Sequence, residues 1–133
     1  MQVREGMSSV ILAVGPGHTL RDTATKMTEK GTGAALVFDE SSPAPRIITE
    51  RDVLNAIGSG EDPDKALVAD HMSESVISAP PDWSLERAAE EMVKLGIRHL
   101  VVVDGGELVG VLSMRDIVRV WTTVGATSSI TPP

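Results

Sequence analysis

The sequence has no cysteine, and its aromatic residues are limited to Phe38, Trp83 and Trp121 among 133 residues. The lack of cysteine excludes disulfides, thiolate zinc sites and a cysteine nucleophile. Because aromatic rings are so few, the core must be built mainly from valine, leucine, isoleucine, alanine and methionine. No apolar run approaches the roughly 18 residues that a membrane-spanning helix needs. We therefore expect a cytoplasmic protein without a membrane partner.

Basic residues are in the minority, with 12 lysines and arginines against 19 aspartates and glutamates and a net charge of −7 at pH 7. This balance argues against a nucleic-acid partner, because such affinity depends on neutralising phosphates. The three histidines show no metal-ligand spacing, so no metal site is expected. One small anionic ligand remains compatible with the composition.

The segment Gly110–Asp116 places a hydroxyl and a carboxylate at a predicted change of structure. The branched apolar run Leu108–Leu112 predicts a buried strand, and helical spacing begins at Met114. Ser113 therefore stands where a helix N-cap belongs, and unpaired backbone N–H groups and the helix dipole favour an anion there. A phosphate near Ser113 and a ribose diol at Asp116 would fit this arrangement.

The same order of residues occurs earlier, in Arg46–Asp52, where Thr49 and Asp52 take the places of Ser113 and Asp116. A hydroxyl three residues before a carboxylate is also the pattern of a capping box, which needs no ligand. A cap does not require the arginine that precedes the aspartate in both copies. The duplication favours a shared binding role, with capping as the alternative.

The repetition extends along most of the chain. Val3–Ser8 matches Val68–Ser73 with an offset of 65 residues, and the two copies predict the same βαββα order. We expect repeats at residues 1–60 and 65–122, with a flexible tail at residues 123–133. The predicted element boundaries are the first strands Val10–Val14 and Val76–Ala79, the N-caps Thr19 and Ser84, the C-caps Gly31 and Gly96, the hairpin turn Asp104–Gly106 and the solvated linker Gly58–Asp64.

Two segments, Gly96–Val103 and Gly110–Asp116, together with the internal repeat, resemble the cystathionine-β-synthase (CBS) domain. The resemblance covers nearly all of the predicted folded chain. It implies an α+β fold in which two βαββα CBS repeats pack sheet to sheet with pseudo-twofold symmetry, as in a stand-alone Bateman module. It also implies two clefts that bind adenine nucleotides.

The resemblance gives each motif residue a role. Ser113 and Thr49 would contact phosphate, Asp116 and Asp52 would bind the ribose hydroxyls, and the first strand of each repeat would hold the adenine. The complete set of predicted nucleotide-binding residues is Ser113, Asp116, Arg115, Arg98, His99, Ile77, Ser78, Ala79, Thr49, Asp52, Arg51, Ile11 and Leu12.

The first copy departs from the second at two places. Arg46 replaces Gly110 and adds bulk, and Gly33-Ala34 replaces Arg98-His99 and removes two potential phosphate ligands. We therefore expect the Asp116 cleft to bind more tightly than the Asp52 cleft.

No catalytic residue is expected, because no nucleophile has a paired general base in the sequence, and His99 has no serine or cysteine partner nearby. The prediction is a non-catalytic regulatory module that binds AMP, ADP or ATP and requires no cofactor. Its partners would be a second copy, bound through the terminal helix of each repeat, and a separate effector protein. The alternatives are a ligand-free interaction or stress-response protein and an enzyme acting on the nucleotide.

Overall fold

The structure is a computed structural model that describes residues 1–41, 44–73 and 76–123. The helices are α1 (Val3–Gly6), α2 (Leu20–Lys30), α3 (Glu50–Gly58), α4 (Leu85–Leu95) and α5 (Met114–Thr123). The strands are β1 (Ala13–Val14), β2 (Ala34–Val37), β3 (Arg46–Thr49), β4 (Ser78–Ala79), β5 (His99–Asp104) and β6 (Glu107–Ser113). The predicted α+β class is confirmed. The predicted tail lies outside the described residues, apart from Thr123 at the end of α5.

Within the described ranges, six strands form two three-stranded sheets with the same topology. In each sheet the first strand pairs in parallel with the second, which pairs antiparallel with the third, in the orders β1-β2-β3 and β4-β5-β6. The first strand of each sheet is shorter than predicted, because only two of its residues lie in register with a partner strand. β1 and β4 are therefore each the edge strand of their own sheet.

The chain forms two compact units whose boundaries cross those of the sequence repeats. The described part of residues 11–76 makes the first unit, and residues 1–10 join residues 77–123 in the second unit. The segment before the first strand of each repeat therefore belongs to the unit that contains the other repeat's sheet.

The predicted helix caps are confirmed. The Thr19 and Ser84 side chains accept hydrogen bonds from the third residue of α2 and α4, each at 3.1 Å. Gly31 and Gly96 follow these helices with φ of 67°, a left-handed conformation that glycine adopts without steric cost. Capping fixes where each helix begins and ends, and so where the following strand starts.

The core of the second unit includes the N-terminal segment, residues 3–8. Val3 is buried among side chains of α4, α5 and the sheet, and its N–H donates to the Trp83 carbonyl at 2.8 Å. The fully buried side chains of this core include Val3, Leu85, Met92, Leu100, Val102 and Leu112. Burial of branched and unbranched aliphatic side chains of this kind is the main force that stabilises such a unit.

The first unit is closed by the segment after α3. Val68 is buried in its core, and the N–H groups of Leu20 and Arg21 donate to the carbonyls of Ala66 and Pro63, each at 3.0 Å. Asp64 is paired with the Arg21 guanidinium, which raises the pKa of Arg21. The linker Gly58–Asp64 is exposed apart from the half-buried Pro63, as expected of a solvated loop, and the Pro63 carbonyl and Asp64 also bind the start of α2.

None of the helices within the described residues has the length and hydrophobicity needed to span a bilayer.

Candidate functional site

Ser113 and Asp116 form a reciprocal pair at the junction of β6 and α5. The Asp116 N–H donates to Ser113 Oγ at 3.0 Å, and the Ser113 N–H donates to Asp116 Oδ2 at 2.9 Å. This geometry is a capping box. Because Ser113 Oγ accepts the Asp116 N–H, this arrangement leaves its O–H available as a donor toward a ligand.

Thr49 and Asp52 form the equivalent pair at the junction of β3 and α3. The Thr49 N–H donates to Asp52 Oδ2 at 2.8 Å, and the Asp52 N–H donates to Thr49 Oγ1 at 3.4 Å. The Thr49 hydroxyl also lies 3.1 Å from Asp52 Oδ2 as a donor. The duplicated motif therefore folds as a capping box in both units, and the Thr49 proton is directed at its own aspartate.

The expectation that free amides at the start of α5 bind an anion needs correction. The Met114 N–H donates to the Arg98 carbonyl at 2.8 Å, and the Asp116 N–H is taken by Ser113. Two of the first three helical amides thus have protein partners. A phosphate at this junction would be bound by side chains more than by the helix terminus.

Two further predicted residues lie beside the Ser113 junction. His99 is directly opposite Ser113 in the antiparallel β5–β6 ladder, and Arg98 immediately precedes it. The sequence interpretation that His99 has no serine nearby was wrong, because the strand pairing brings together residues distant in the chain. The exposed side chains of Arg98 and Arg115 add positive charge at this end of the sheet.

The edge of the second sheet is formed by β4. Ser78 is in register with Val101, and the Val101 N–H donates to the Ile77 carbonyl at 3.0 Å. In a parallel ladder this pattern turns the N–H and C=O of Ser78 itself away from the neighbouring strand. Ala79 is buried in the core. Ser78 therefore presents a donor and an acceptor at an exposed edge.

The first unit has the same edge. The Leu36 N–H donates to the Leu12 carbonyl at 2.9 Å, and Ala13 occupies the position equivalent to Ser78. Ile11 and Leu12 are half-buried. Of the residues predicted to hold adenine, Leu12 and Ile77 use their carbonyls within the sheet.

The strand edge and the Ser113 junction lie apart within the second unit. One strand separates β4 from β6, and Ser78 is in register with Val101, two residues along β5 from His99. At about 4.8 Å between strands and about 3.3 Å per residue, the two places are about 12 Å apart. A nucleoside with a 5′-phosphate can span such a distance.

The first unit carries an acidic residue that sequence reasoning missed. Glu50 occupies the position of Met114, and its N–H donates to the Gly33 carbonyl at 2.9 Å. A Cβ atom built on Gly33 would lie 3.0 Å from Glu50 Oε1. The Glu50 carboxylate therefore packs directly against this glycine. Glu50 thus places a negative charge where the second unit has Arg98. A direct comparison of the two motif copies could have found it.

Arg119 is a second residue that was missed. Its Nη2 lies 3.5 Å from Asp116 Oδ1 and donates to the Gly6 carbonyl at 3.1 Å. The i,i+3 spacing of the aspartate and the arginine was visible in the sequence. The contact with Gly6 was not, because it joins opposite ends of the chain.

The family model of the CBS domain matches this chain twice, over residues 2–59 and 68–122, and each match contains one copy of the strand-to-helix motif. The chain belongs to the CBS-domain family. An uncharacterized protein of Methanopyrus kandleri is 36% identical over 119 residues, which are 88% of this chain and 61% of that protein. The chain thus spans less than two thirds of that relative's length.

Two solved structures of CBS proteins are similar to this one. A CBS domain protein from Pyrobaculum aerophilum, complexed with AMP, is 32% identical with a TM-score of 0.75 over 87% of this chain and 89% of that chain. A hexameric CBS-CP12 protein from bloom-forming cyanobacteria is 27% identical with a TM-score of 0.79 over 89% of this chain and 66% of that one. These likenesses confirm the predicted fold of a CBS pair.

Proposed function

We propose that this CBS pair is a regulatory module that binds an adenine nucleotide and does not transform it. The observation that carries the proposal is the hydroxyl–carboxylate pair held by reciprocal hydrogen bonds at Ser113 and Asp116, beside exposed arginines and an open strand edge. The AMP complex of the Pyrobaculum aerophilum protein supports an adenosine ligand.

Each part of the nucleotide meets a group of matching chemistry. The Asp116 carboxylate accepts from the ribose diol, and the Ser113 hydroxyl donates to the first phosphate. The guanidinium groups of Arg98 and Arg115 pair with phosphate oxygens, which suit their planar donor geometry. The adenine pairs with the backbone donor and acceptor of Ser78 at the edge of the sheet.

The first unit is proposed as the weaker site, formed by Thr49, Asp52 and Arg51 with the edge residues Ile11 and Leu12. It lacks a counterpart of the Arg98 side chain at Gly33, and the Glu50 carboxylate opposes a phosphate there. We therefore expect the second unit to bind the nucleotide at lower concentrations than the first unit.

The proximity of His99 and Ser113 raises an enzymatic alternative, since a serine beside a histidine can act as a nucleophile. The carboxylate that would orient the histidine is bonded elsewhere, because Asp116 accepts from the Ser113 N–H and faces Arg119. We therefore favour phosphate binding by His99. Release of inorganic phosphate from ATP or ADP, measured with the same protein, distinguishes the two roles.

We further propose that the protein acts in the cytoplasm as a homodimer that signals to a separate effector protein. Leu54 and Ile57 of α3 are 68% and 51% exposed, Val118 of α5 is 54% exposed, and Trp121 is half-buried. In each unit, the exposed apolar side chains of the terminal helix offer a surface that a second copy would cover.

A thermal-shift and calorimetric series tests the nucleotide proposal. AMP, ADP and ATP should raise the melting temperature, because a ligand that binds only the folded state stabilises it by mass action. GMP, GTP, CMP and UMP should shift it less. No shift with any adenine nucleotide at millimolar concentration would favour a ligand-free interaction protein, in which both motifs serve only as helix caps.

A further inference from the structure

Arg119 connects the Asp116 carboxylate with the N-terminal segment of the second unit. The same nitrogen, Nη2, donates to the Gly6 carbonyl and faces Asp116 Oδ1. Gly6 is the last residue of α1, and it is buried. One side chain thus contacts both the group that would bind ribose and a segment more than a hundred residues earlier in the chain.

We propose that Arg119 is a positioning residue that holds the Asp116 carboxylate for a ribose diol and so couples nucleotide binding to docking of the N-terminal segment, residues 3–8. This inference rests on the proposed function of the Ser113–Asp116 site. It adds a residue outside the segment Gly110–Asp116 and a segment whose docking responds to the ligand.

The number of acceptor positions on the carboxylate favours positioning over competition with the ligand. An ionised carboxylate offers about four lone-pair positions, two on each oxygen. The Ser113 N–H uses one position on Oδ2, and Arg119 uses one on Oδ1. Each oxygen keeps one position, which is what two neighbouring hydroxyls require.

The N-terminal segment holds in place the Gly6 carbonyl, to which Arg119 donates. The Val3 N–H donates to the Trp83 carbonyl at 2.8 Å, and Ser8 exchanges two backbone hydrogen bonds with Val111. The Gly6 carbonyl between these anchors is held in place. By thermodynamic linkage, if the docked segment favours the binding orientation of Asp116, a bound nucleotide must favour the docked segment to the same extent.

The first unit provides an internal control. Asn55 occupies the position equivalent to Arg119, one turn after Asp52, and its shorter neutral side chain has no guanidinium. The coupling is therefore specific to the second unit, and substitution of Asn55 should not affect it.

The test combines AMP titration by calorimetry with hydrogen exchange of the Met7 and Ser8 amides, which donate to Val3 and Val111. In the unmodified protein, AMP should slow exchange at both amides. Arg119→Gln should weaken AMP binding about fivefold or more, the lower end of ordinary coupling between sites, and should abolish this slowing. Asn55→Ala and the charge control Lys94→Gln, an exposed position on α4, should behave like the unmodified protein.

Arg119→Lys keeps the charge with a single donor nitrogen and should give intermediate values, which keeps the test valid if Arg119→Gln does not fold. AMP affinity that is unchanged or tighter in Arg119→Gln would overturn the proposal. Ligand-induced slowing that persists in this variant would overturn it as well, since a merely structural arginine would leave the slowing in place. Failure of the nucleotide proposal is distinct, because the unmodified protein would then bind no adenine nucleotide.

Discussion

The backbones of Ser8 and Val111 pair as an isolated antiparallel bridge, with the Ser8 N–H 2.9 Å from the Val111 carbonyl and the Val111 N–H 3.0 Å from the Ser8 carbonyl. This pairing brings the N-terminal segment against β6 beside Gly110. A Cβ on Gly110 would lie 2.8 Å from the Ser8 carbonyl oxygen and 2.9 Å from Met7 Sδ. The glycine is therefore required for this close approach, a reason unrelated to space for a ligand.

Gly110→Ala should destabilise the protein by about 1–3 kcal/mol, the usual cost of overpacking, because backbone must move to admit the methyl group. Urea unfolding measures the change, and hydrogen exchange at Ser8 should become faster. Gly58→Ala is the matched control, since a Cβ there meets nothing within 4 Å. Equal stability of the two variants would show that the segment does not pack against Gly110 in solution.

Thr23 is a buried residue of α2 whose hydroxyl has no hydrogen-bond partner among the described residues. The second repeat has Ala88 at the equivalent position. Thr23→Val should stabilise the protein by about 1 kcal/mol, because an unsatisfied buried hydroxyl costs about 1–3 kcal/mol. The reciprocal change, Ala88→Thr, should be destabilising. Loss of stability in Thr23→Val would mean that the hydroxyl finds a partner in solution.

Asp116→Asn should weaken the tighter adenine-nucleotide binding event by at least about tenfold, since a hydrogen bond to a charged group contributes about 1.5–3 kcal/mol. Asparagine keeps a side-chain oxygen that can accept the Ser113 N–H, so the helix cap is retained. Asp52→Asn, the matched change in the first unit, should have a much smaller effect on that event. Calorimetry in which Asp52→Asn removes the tight event would reverse the ranking of the two sites.

Glu50→Met introduces the residue that the second motif copy has at the equivalent position. Loss of the carboxylate next to Gly33 should increase the affinity of the weaker site for AMP, because like-charge repulsion of the phosphate is removed. The same titration with adenosine, which has no phosphate, is the control and should show a smaller gain. An equal gain for both ligands would assign the effect to packing and not to charge.

The dimer is tested with charged substitutions on the exposed apolar positions of the terminal helices. Leu54→Glu and Val118→Glu should each shift the protein from dimer to monomer, because burying an unpaired carboxylate is costly. Light scattering at tens of micromolar measures the mass, and Val93→Glu on the exposed face of α4 is the control. If the unmodified protein is a monomer, or forms an assembly larger than a dimer, the proposal is contradicted.

The sequence by itself determined the features that depend on local patterns. The offset of 65 residues revealed the repeat, and the residues Thr19, Ser84, Gly31 and Gly96 marked where α2 and α4 begin and end. Turn residues and caps act within a few positions of the chain, so their effect could be predicted from neighbours alone. The hydroxyl–carboxylate motif was also found in this way, together with its capping role.

Only the tertiary structure decided which groups surround that motif. His99 meets Ser113 through strand pairing, Glu50 packs over Gly33, and Arg119 reaches the Gly6 carbonyl. It also placed residues 1–10 with the second repeat's sheet, which explains why Gly110 has no side chain. These contacts depend on the pairing and burial of segments far apart in the chain. Such contacts are set by the free energy of the whole unit, so no local pattern specifies them.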